Sequence, residues 1–225
     1  NPHVDDPSLS PRFMPWFQVL TWIGLYFGLD VFDLLSLSGI ISYVLIVVGL
    51  RTFLTSYFRD PWAPSIGFLA IFFCWGVSWN WPNLYHLRSF FYVASFPSTF
   101  AFGLSLLAFA LTLRILRRAR QQYVLSALLC VLAALMFLCH PLTGVFGISG
   151  CALLAITETS EKFSLRLLTL VSLAAAAVLV ELWPFFSVWK VSLGLYGSGA
   201  EPCFASSESI GAFVRARSGV RKSLV

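Results

Sequence analysis

The chain has 225 residues, of which 58% are hydrophobic and 11% are charged, with a formal net charge of +5 and a mean hydropathy of +0.82. Soluble domains carry about 25% charged residues and have to cover themselves with polar groups, so this composition excludes an ordinary water-soluble domain. It predicts an all-α fold, a polytopic bundle of transmembrane helices that is integral to a membrane and surrounded by membrane lipid.

The basic residues form two clusters, at 114–120 and 215–222, beside an apolar segment and in the tail. Because they are not spread over one broad face, we exclude nucleic acid as a partner. Basic clusters next to apolar segments are typical of the cytoplasmic side of a membrane protein. We expect the membrane to be the bacterial plasma membrane.

Three regions follow from the composition along the chain. Residues 1–12 predict an extramembrane loop that is acidic and rich in proline, 13–188 a transmembrane helical domain, and 189–225 a polar, basic tail. Because the chain starts with Asn and stops in the loose tail, we expect it to be an incomplete piece of a longer polytopic protein.

Apolar segments follow one another through the central region. A spanning helix needs about 20 residues, with a range of 17–25, so three or four of the segments are long enough and three are marginal. We predict six to seven membrane helices. The segments are 13–29, 34–50, 65–79, 93–113, 123–139, 142–156 and 167–188.

The arginines predict an orientation. The cluster at 114–120 indicates that the segment before it ends in the cytoplasm, and Arg51 and Arg59, two segments earlier, fall on the same side. The loop 80–92 and the residue His140 then lie together on the outer side.

Two segments leave the topology open. If 13–29 crosses the membrane, the loop 1–12 is cytoplasmic, whereas a re-entrant or interfacial helix puts that loop outside. If 142–156 crosses, the basic tail falls outside, against the charge bias. If 142–156 is re-entrant, the tail falls inside.

The dipeptide His140-Pro141 separates two apolar segments. Proline donates no backbone hydrogen bond and disfavours helix in the residue before it, so one helix should end at or before His140 and another can begin with Pro141. One interpretation is a histidine at the outer mouth of a cavity, close to a helix N-terminus that favours a phosphate. The other is a simple turn between helices. The following glycines predict close approach of backbone to backbone or to a ligand.

The loop 1–12 contains an acidic pair, Asp5 and Asp6, with His3 and Arg12 nearby. Adjacent carboxylates in a loop can act as a general base and as a metal ligand. Adjacent side chains also point in different directions, so a solvated turn is the alternative.

Two further candidate sites follow later in the chain. Tyr85, His86 and Arg88 belong to the predicted outer loop, where arginine suits a phosphate or pyrophosphate and the aromatic rings suit a sugar or simply the membrane interface. Glu181 lies near the end of the last apolar segment. A carboxylate at that depth either faces a wet cavity or reaches outward to water.

The pattern of the chain resembles a known family over about residues 1–160. The stretches that carry the resemblance are NPHVDDPSLSPRFMPWFQVLTWIGLYFGLDVFDLLSLSG, YVASFPSTFAFGLSLLAFALTLRILRR and CHPLTGVF. The first of them resembles the end of the first external loop and the following helices in GT-C type glycosyltransferases. These are polytopic membrane enzymes that take a sugar from a polyprenyl-phosphate donor.

This resemblance implies an external loop with an acidic catalytic base, and a divalent cation, Mg²⁺ or Mn²⁺, in some members. Asp5 and Asp6 best match that acidic motif. The family's acid normally follows a first transmembrane helix, and none precedes Asp5 here, so an acid farther upstream is the alternative.

The leading hypothesis is a membrane glycosyltransferase that uses a lipid-linked sugar donor at the extracytoplasmic face. An Asp would deprotonate the acceptor, and Arg88, His86 or His140 would stabilise the departing phosphate. The alternatives are a transporter or flippase for a lipid-linked or amphiphilic substrate, with His140 and Glu181 near the bilayer centre, and a non-catalytic membrane subunit.

Overall fold

A computed structural model describes the protein over residues 14–58, 60–74, 90–91, 93–117, 121–158 and 163–192. Every regular element in these ranges is helical, which confirms the predicted fold class. The contacts group the residues up to Val188 into one compact unit, to which the bundle described below belongs.

Each predicted apolar segment overlaps mainly one helix, although the helix ends differ from the segment ends by up to seven residues. The helices are α1 (Pro15–Phe27), α2 (Val31–Tyr57), α3 (Ala63–Phe73), α4 (Pro97–Arg117), α5 (Gln122–Cys139), α6 (Pro141–Thr157), α7 (Phe163–Leu179), a 3-10 turn that continues α7 (Val180–Leu182), and the short α8 (Val188–Ser192). In the described part of the chain, four helices are long and apolar enough to span a membrane, namely α2, α4, α5 and α7 with its 3-10 turn. Helices α3 and α6 are shorter and apolar, so the count of six to seven crossings stays a prediction.

Local sequence signals set the helix boundaries. Proline opens α1, α4 and α6, where its missing N–H costs nothing. The Asp30 side chain caps α2 by accepting a hydrogen bond of 2.8 Å from the Asp33 backbone N–H. Gly28 ends α1 with a left-handed conformation, φ 66°, which glycine adopts without strain.

Helix α4 occupies the centre of the bundle, since 78% of its most apolar 18-residue stretch is buried. Helix α2 runs parallel to it on one side. At their crossing, a Cβ atom added to Gly49 would lie 2.9 Å from Leu106 Cβ, and one added to Gly103 would lie 2.8 Å from Leu45 Cβ. The two glycines therefore allow the helices to pack with almost no side chain between them.

Helix α6 packs against α4 and α5 through three glycines. A Cβ atom would lie 2.6 Å from Phe137 at Gly144, 2.7 Å from the Ser105 hydroxyl at Gly147, and 2.5 Å from the Phe109 ring at Gly150. All three positions face neighbouring helices, so these glycines serve helix packing.

The two ends of the bundle differ in charge. The C-terminal turns of α2, α4 and α6 meet at one end, which we call the arginine end. The starts of α2, α4 and α6 and the ends of α5 and α7 meet at the other, which we call the carboxylate end. Among the described residues of this unit, all arginines lie toward the arginine end, together with Asp60 and Glu158, whereas the carboxylate end carries acids alone. The arginines are Arg51, Arg114, Arg117 and Arg166, and the acids of the carboxylate end are Asp30, Asp33 and Glu181.

The structure describes both segments whose topology the sequence leaves open. Helix α1 has 13 residues, which is about 20 Å at 1.5 Å per residue, and it contacts the bundle at the carboxylate end. Helix α6 runs through to the arginine end, so it crosses the bundle, and its crossing of the membrane stays a prediction. Helix α7 then returns to the carboxylate end. The charge bias counts basic residues within about 15–20 residues of a helix end. The basic cluster of the tail begins at Arg215, 33 residues after Leu182, and Lys190 is the one basic residue between them.

Candidate functional site

His140 forms the whole connection between α5 and α6. Its backbone N–H still donates to the Met136 carbonyl at 3.0 Å, and its own carbonyl accepts from the Gly144 N–H at 2.8 Å. Its extended backbone, φ −157° and ψ 98°, reverses the chain between the two helices. The predicted break at His140-Pro141 is therefore confirmed, at the carboxylate end of the bundle.

The imidazole caps the N-terminus of α6. Its Nδ1 accepts a hydrogen bond from the Thr143 backbone N–H at 3.3 Å, and the Thr143 hydroxyl lies 2.8 Å from the same nitrogen. Because Nδ1 accepts, we assign the ring proton of the neutral form to Nε2. Burial lowers the pKa of His140 below its ordinary value of 6.5, and a cation at a helix N-terminus is unfavourable as well. The ring is thus held neutral, with one N–H left to donate.

Helix α1 enters the bundle beside this turn. The Trp16 ring stacks on Phe100 with 3.9 Å between ring centroids, and Trp16, Leu20, Ala101 and Cys139 form one buried cluster. Cys139 immediately precedes His140. The start of α1, and with it the point where the segment 1–13 joins the bundle, therefore lies next to the α5–α6 turn.

A buried hydrogen-bond relay fixes this entry point. The Trp16 indole N–H donates to Ser38 Oγ at 3.1 Å, and the Ser38 hydroxyl donates to the Ser95 carbonyl at 3.1 Å. The relay joins α1, α2 and the turn before α4. Sequence reasoning missed it, since an isolated serine in an apolar helix gives no signal of its partner.

Glu181 lies in the 3-10 turn at the end of α7, also at the carboxylate end. Its side chain is exposed and its Oε1 accepts a hydrogen bond of 3.1 Å from the Ser187 hydroxyl. His140 and Glu181 therefore belong to the same end of the bundle, and neither lies halfway along it.

The other predicted site residues lie outside the described residues: His3, Asp5, Asp6, Arg12, Tyr85, His86 and Arg88. The described residues on either side of 75–89 are close together. The Phe72 and Phe90 rings are 5.6 Å apart, and both contact Tyr43 of α2. The pairing of these residues with His140 stays a prediction.

The carboxylates of the acidic loop can act as metal ligands. Within the described ranges, no group of three or more His, Cys, Asp or Glu residues is close enough together to hold a metal ion. The acidic pair that would be the ligand, Asp5 and Asp6, belongs to the part of the chain outside those ranges.

Comparison with known proteins gives no significant match. No family model, curated protein or solved structure is similar to this chain at a significant level.

Proposed function

We propose that the protein is a membrane glycosyltransferase that takes a sugar from a polyprenyl-phosphate donor at the carboxylate end of its helical bundle. A donor dissolved in the bilayer has to be met by a protein that is itself in the bilayer. The multi-pass bundle of apolar helices satisfies that requirement, and the arginines at the opposite end are consistent with an extracytoplasmic carboxylate end.

The observation that carries the proposal is the entry of α1 beside His140. Asp6 precedes Pro15 by nine residues, and an extended chain covers at most about 3.6 Å per residue. The chain therefore limits Asp6 to about 32 Å and Asp5 to about 36 Å from Pro15, where α1 enters the bundle beside the α5–α6 turn. In this proposal Asp5 or Asp6 deprotonates the acceptor hydroxyl, and the Nε2–H of neutral His140 donates to the phosphate oxygen of the departing lipid.

The transporter alternative needs its polar residues near the middle of the membrane, at a site with two openings. His140 and Glu181 both lie at one end of the bundle, which is the arrangement that a reaction at one membrane face requires. For this reason we favour the transferase.

Hydrolysis of the donor, in which water takes the place of the acceptor hydroxyl and the sugar is released to water, tests the proposal without knowledge of the acceptor. The protein is reconstituted in liposomes with polyprenyl phosphate carrying a tritiated hexose or, in parallel, a tritiated pentose, and release of radioactivity into water-soluble products is measured. We expect cleavage by the wild type and a loss of about 100-fold or more in Asp6→Asn, the range for removal of a general base. Asp33→Asn, an acid at the same end, is the matched control.

Each result has a defined meaning. A wild type that cleaves neither donor removes the transferase proposal. A wild type that cleaves while Asp6→Asn and Asp5→Asn both keep full activity retains the transferase but moves its base to another residue.

A further inference from the structure

The start of α1 is held close to the carboxylate end of the bundle. Trp16 bonds to Ser38 and stacks on Phe100, and it shares a buried cluster with Cys139. Phe100 belongs to the first turn of α4, and Cys139 is the last residue of α5. Ser38 lies deepest, eight residues after Asp30, which is about 12 Å at 1.5 Å per residue. The start of α1 therefore stays within less than half of the hydrocarbon core, which is about 30 Å thick.

The other end of α1 belongs to the same end of the bundle. Gly28 ends the helix, and the N-cap of α2, Asp30, follows it by two residues. A Cβ atom added to Gly24 would lie 2.7 Å from the Leu34 side chain, one turn into α2. Helix α1 thus slopes, with its start deeper than its end, and with a length of about 20 Å it is too short to span the core.

The side of α1 that faces away from the bundle is apolar and open. Val19, Trp22 and Tyr26 are 49%, 70% and 84% exposed, and α1 contains no charged residue. The next helix, α2, is long and apolar enough to span a membrane and likewise exposes Phe32 near its start. Surfaces of this kind are stable against lipid and unfavourable in water.

The residue types along α1 follow the slope of the helix. Val19 lies in its deeper half, whereas Trp22 and Tyr26 lie toward Gly28 and the end of the bundle. Tryptophan and tyrosine prefer the boundary between hydrocarbon and headgroups, because their rings are apolar and carry one polar group. A lipid leaflet accounts for this order, which contact with another protein does not require.

We propose that α1 is embedded only in the membrane leaflet at the carboxylate end, with Val19 in the hydrocarbon and with Trp22 and Tyr26 at the headgroup boundary. The lipid of that leaflet is the partner of the exposed face. The chain then enters and leaves α1 on the same side of the membrane. This arrangement does not depend on the transferase proposal, since it involves no substrate.

Spin labels measure the depth directly. In a variant whose five cysteines are replaced by alanine, one new cysteine is introduced as Val19→Cys, Trp22→Cys or Tyr26→Cys and is spin-labelled in liposomes. Depth follows from the relative access of oxygen and of a water-soluble nickel chelate. The control is Val44→Cys, at an exposed position of α2 that lies about 21 Å along the helix from Asp30.

The four labels should differ in depth. We expect those at Trp22 and Tyr26 within about 10 Å of the phosphate groups, the label at Val19 deeper than both, and the label at Val44 near the bilayer centre.

Lysine substitutions test the same depth with the native cysteines in place. Trp22→Lys should melt close to Trp22→Leu in nanodiscs, because a lysine at the boundary extends its ammonium into water. Val44→Lys should melt well below Val44→Leu or fail to insert, because a charge in the middle of the bilayer is costly. If the variant without cysteines does not fold, this comparison decides.

Three depth results would overturn the proposal. A label at Trp22 as deep as the one at Val44 would mean that α1 crosses the membrane. Access of the nickel chelate as free as in water would place α1 outside the lipid, and a label that neither reagent reaches would show that protein covers the face. An equal loss of melting temperature in the two lysine variants, each relative to its leucine control, would overturn it too.

Discussion

The Arg117 Nη2 atom lies 3.6 Å from the Glu158 Oε2 atom, and Nη1 of the same guanidinium donates to the Ser56 carbonyl. One side chain at the end of α4 thereby joins the C-terminal ends of α2 and α6. Helix C-termini present unpaired carbonyl groups and the negative end of the helix dipole, so a cation stabilises all three ends.

Replacement of Arg117 should therefore loosen the arginine end. The ion pair alone is worth at most about 1 kcal/mol, because Arg117 and Glu158 remain 42% and 24% exposed. The hydrogen bond from a charged donor to Ser56 adds about 1.5 kcal/mol or more. We expect Arg117→Ala to lower the melting temperature in detergent clearly, and Arg117→Lys to restore only part of it, since lysine lacks the planar fork. Arg114→Ala, an exposed neighbour on the same helix, is the control, and equal melting of the two alanine variants would contradict the assignment.

The crossing of α2 and α4 makes Gly103 intolerant of a side chain. A Cβ atom there would lie 2.8 Å from Leu45 Cβ and 3.2 Å from the Ile46 backbone nitrogen, so the helix axes have to separate. Overpacking of this kind costs about 1–3 kcal/mol. Gly39→Ala in α2 is the control, because its Cβ atom would lie 3.4 Å from Ala94 Cβ and alanine favours helix. Thermal unfolding monitored by circular dichroism should show Gly103→Ala melting well below wild type and Gly39→Ala close to it. The reverse order would show that the helices are not in close contact.

The relay through Ser38 predicts a coupling between packing and activity. Ser38→Ala leaves the Trp16 indole N–H without its acceptor inside the bundle, which costs about 1–3 kcal/mol. We expect faster proteolysis between α1 and α2, together with a reduced rate of donor cleavage if the proposed transferase is correct. Ser36→Ala removes a hydroxyl that bonds only to the Phe32 carbonyl in its own exposed turn and should change neither. Proteolysis at the wild-type rate in Ser38→Ala would remove the relay as the anchor of α1.

The His140 cap predicts a dependence of stability on pH. Because burial lowers the pKa of His140 in the folded protein below 6.5, the unfolded chain binds a proton more readily at acidic pH. The contribution of His140 is therefore fully present above about pH 6.5, falls as the pH drops toward the folded pKa, and is constant below that value.

A substitution isolates this effect from the other titrating groups. Asparagine is a good N-cap and does not titrate, so His140→Asn should keep most of the stability at neutral pH and show a smaller loss of melting temperature between pH 7.5 and pH 5. A loss as large as that of the wild type would mean that His140 does not carry the acid sensitivity.

Much of the fold could be predicted from the sequence, because hydropathy and proline positions act locally. The break at His140 and the start at Pro141 follow directly from the chemistry of proline. The end of α2 could not be predicted in this way, because the apolar segment stops at Leu50 whereas the helix continues to Tyr57. Thr52 and Thr55 bond their hydroxyls to the carbonyls of Val48 and Arg51, which lets polar residues continue the helix.

The contacts between helices could not be predicted. Glu158 is part of a polar connection in the sequence, and nothing in that pattern indicates its partner, Arg117. The relay from Trp16 to Ser95 likewise depends on which helices become neighbours. Of the residues of the candidate site, His140 and Glu181 could be predicted from the sequence. The structure shows that both lie at the carboxylate end of the bundle.

The parallel packing of α2 and α4 has a consequence for biogenesis. Ser38 finds its partner Ser95 only 57 residues later in the chain, and a ribosome adds about 5–20 residues per second. Several seconds therefore pass between the insertion of α2 and the synthesis of α4, and during that interval the surface of α2 around Gly49 is exposed to lipid. The most apolar 18-residue stretch of α2 has a mean hydropathy of 2.3, so the helix is stable in lipid during that interval.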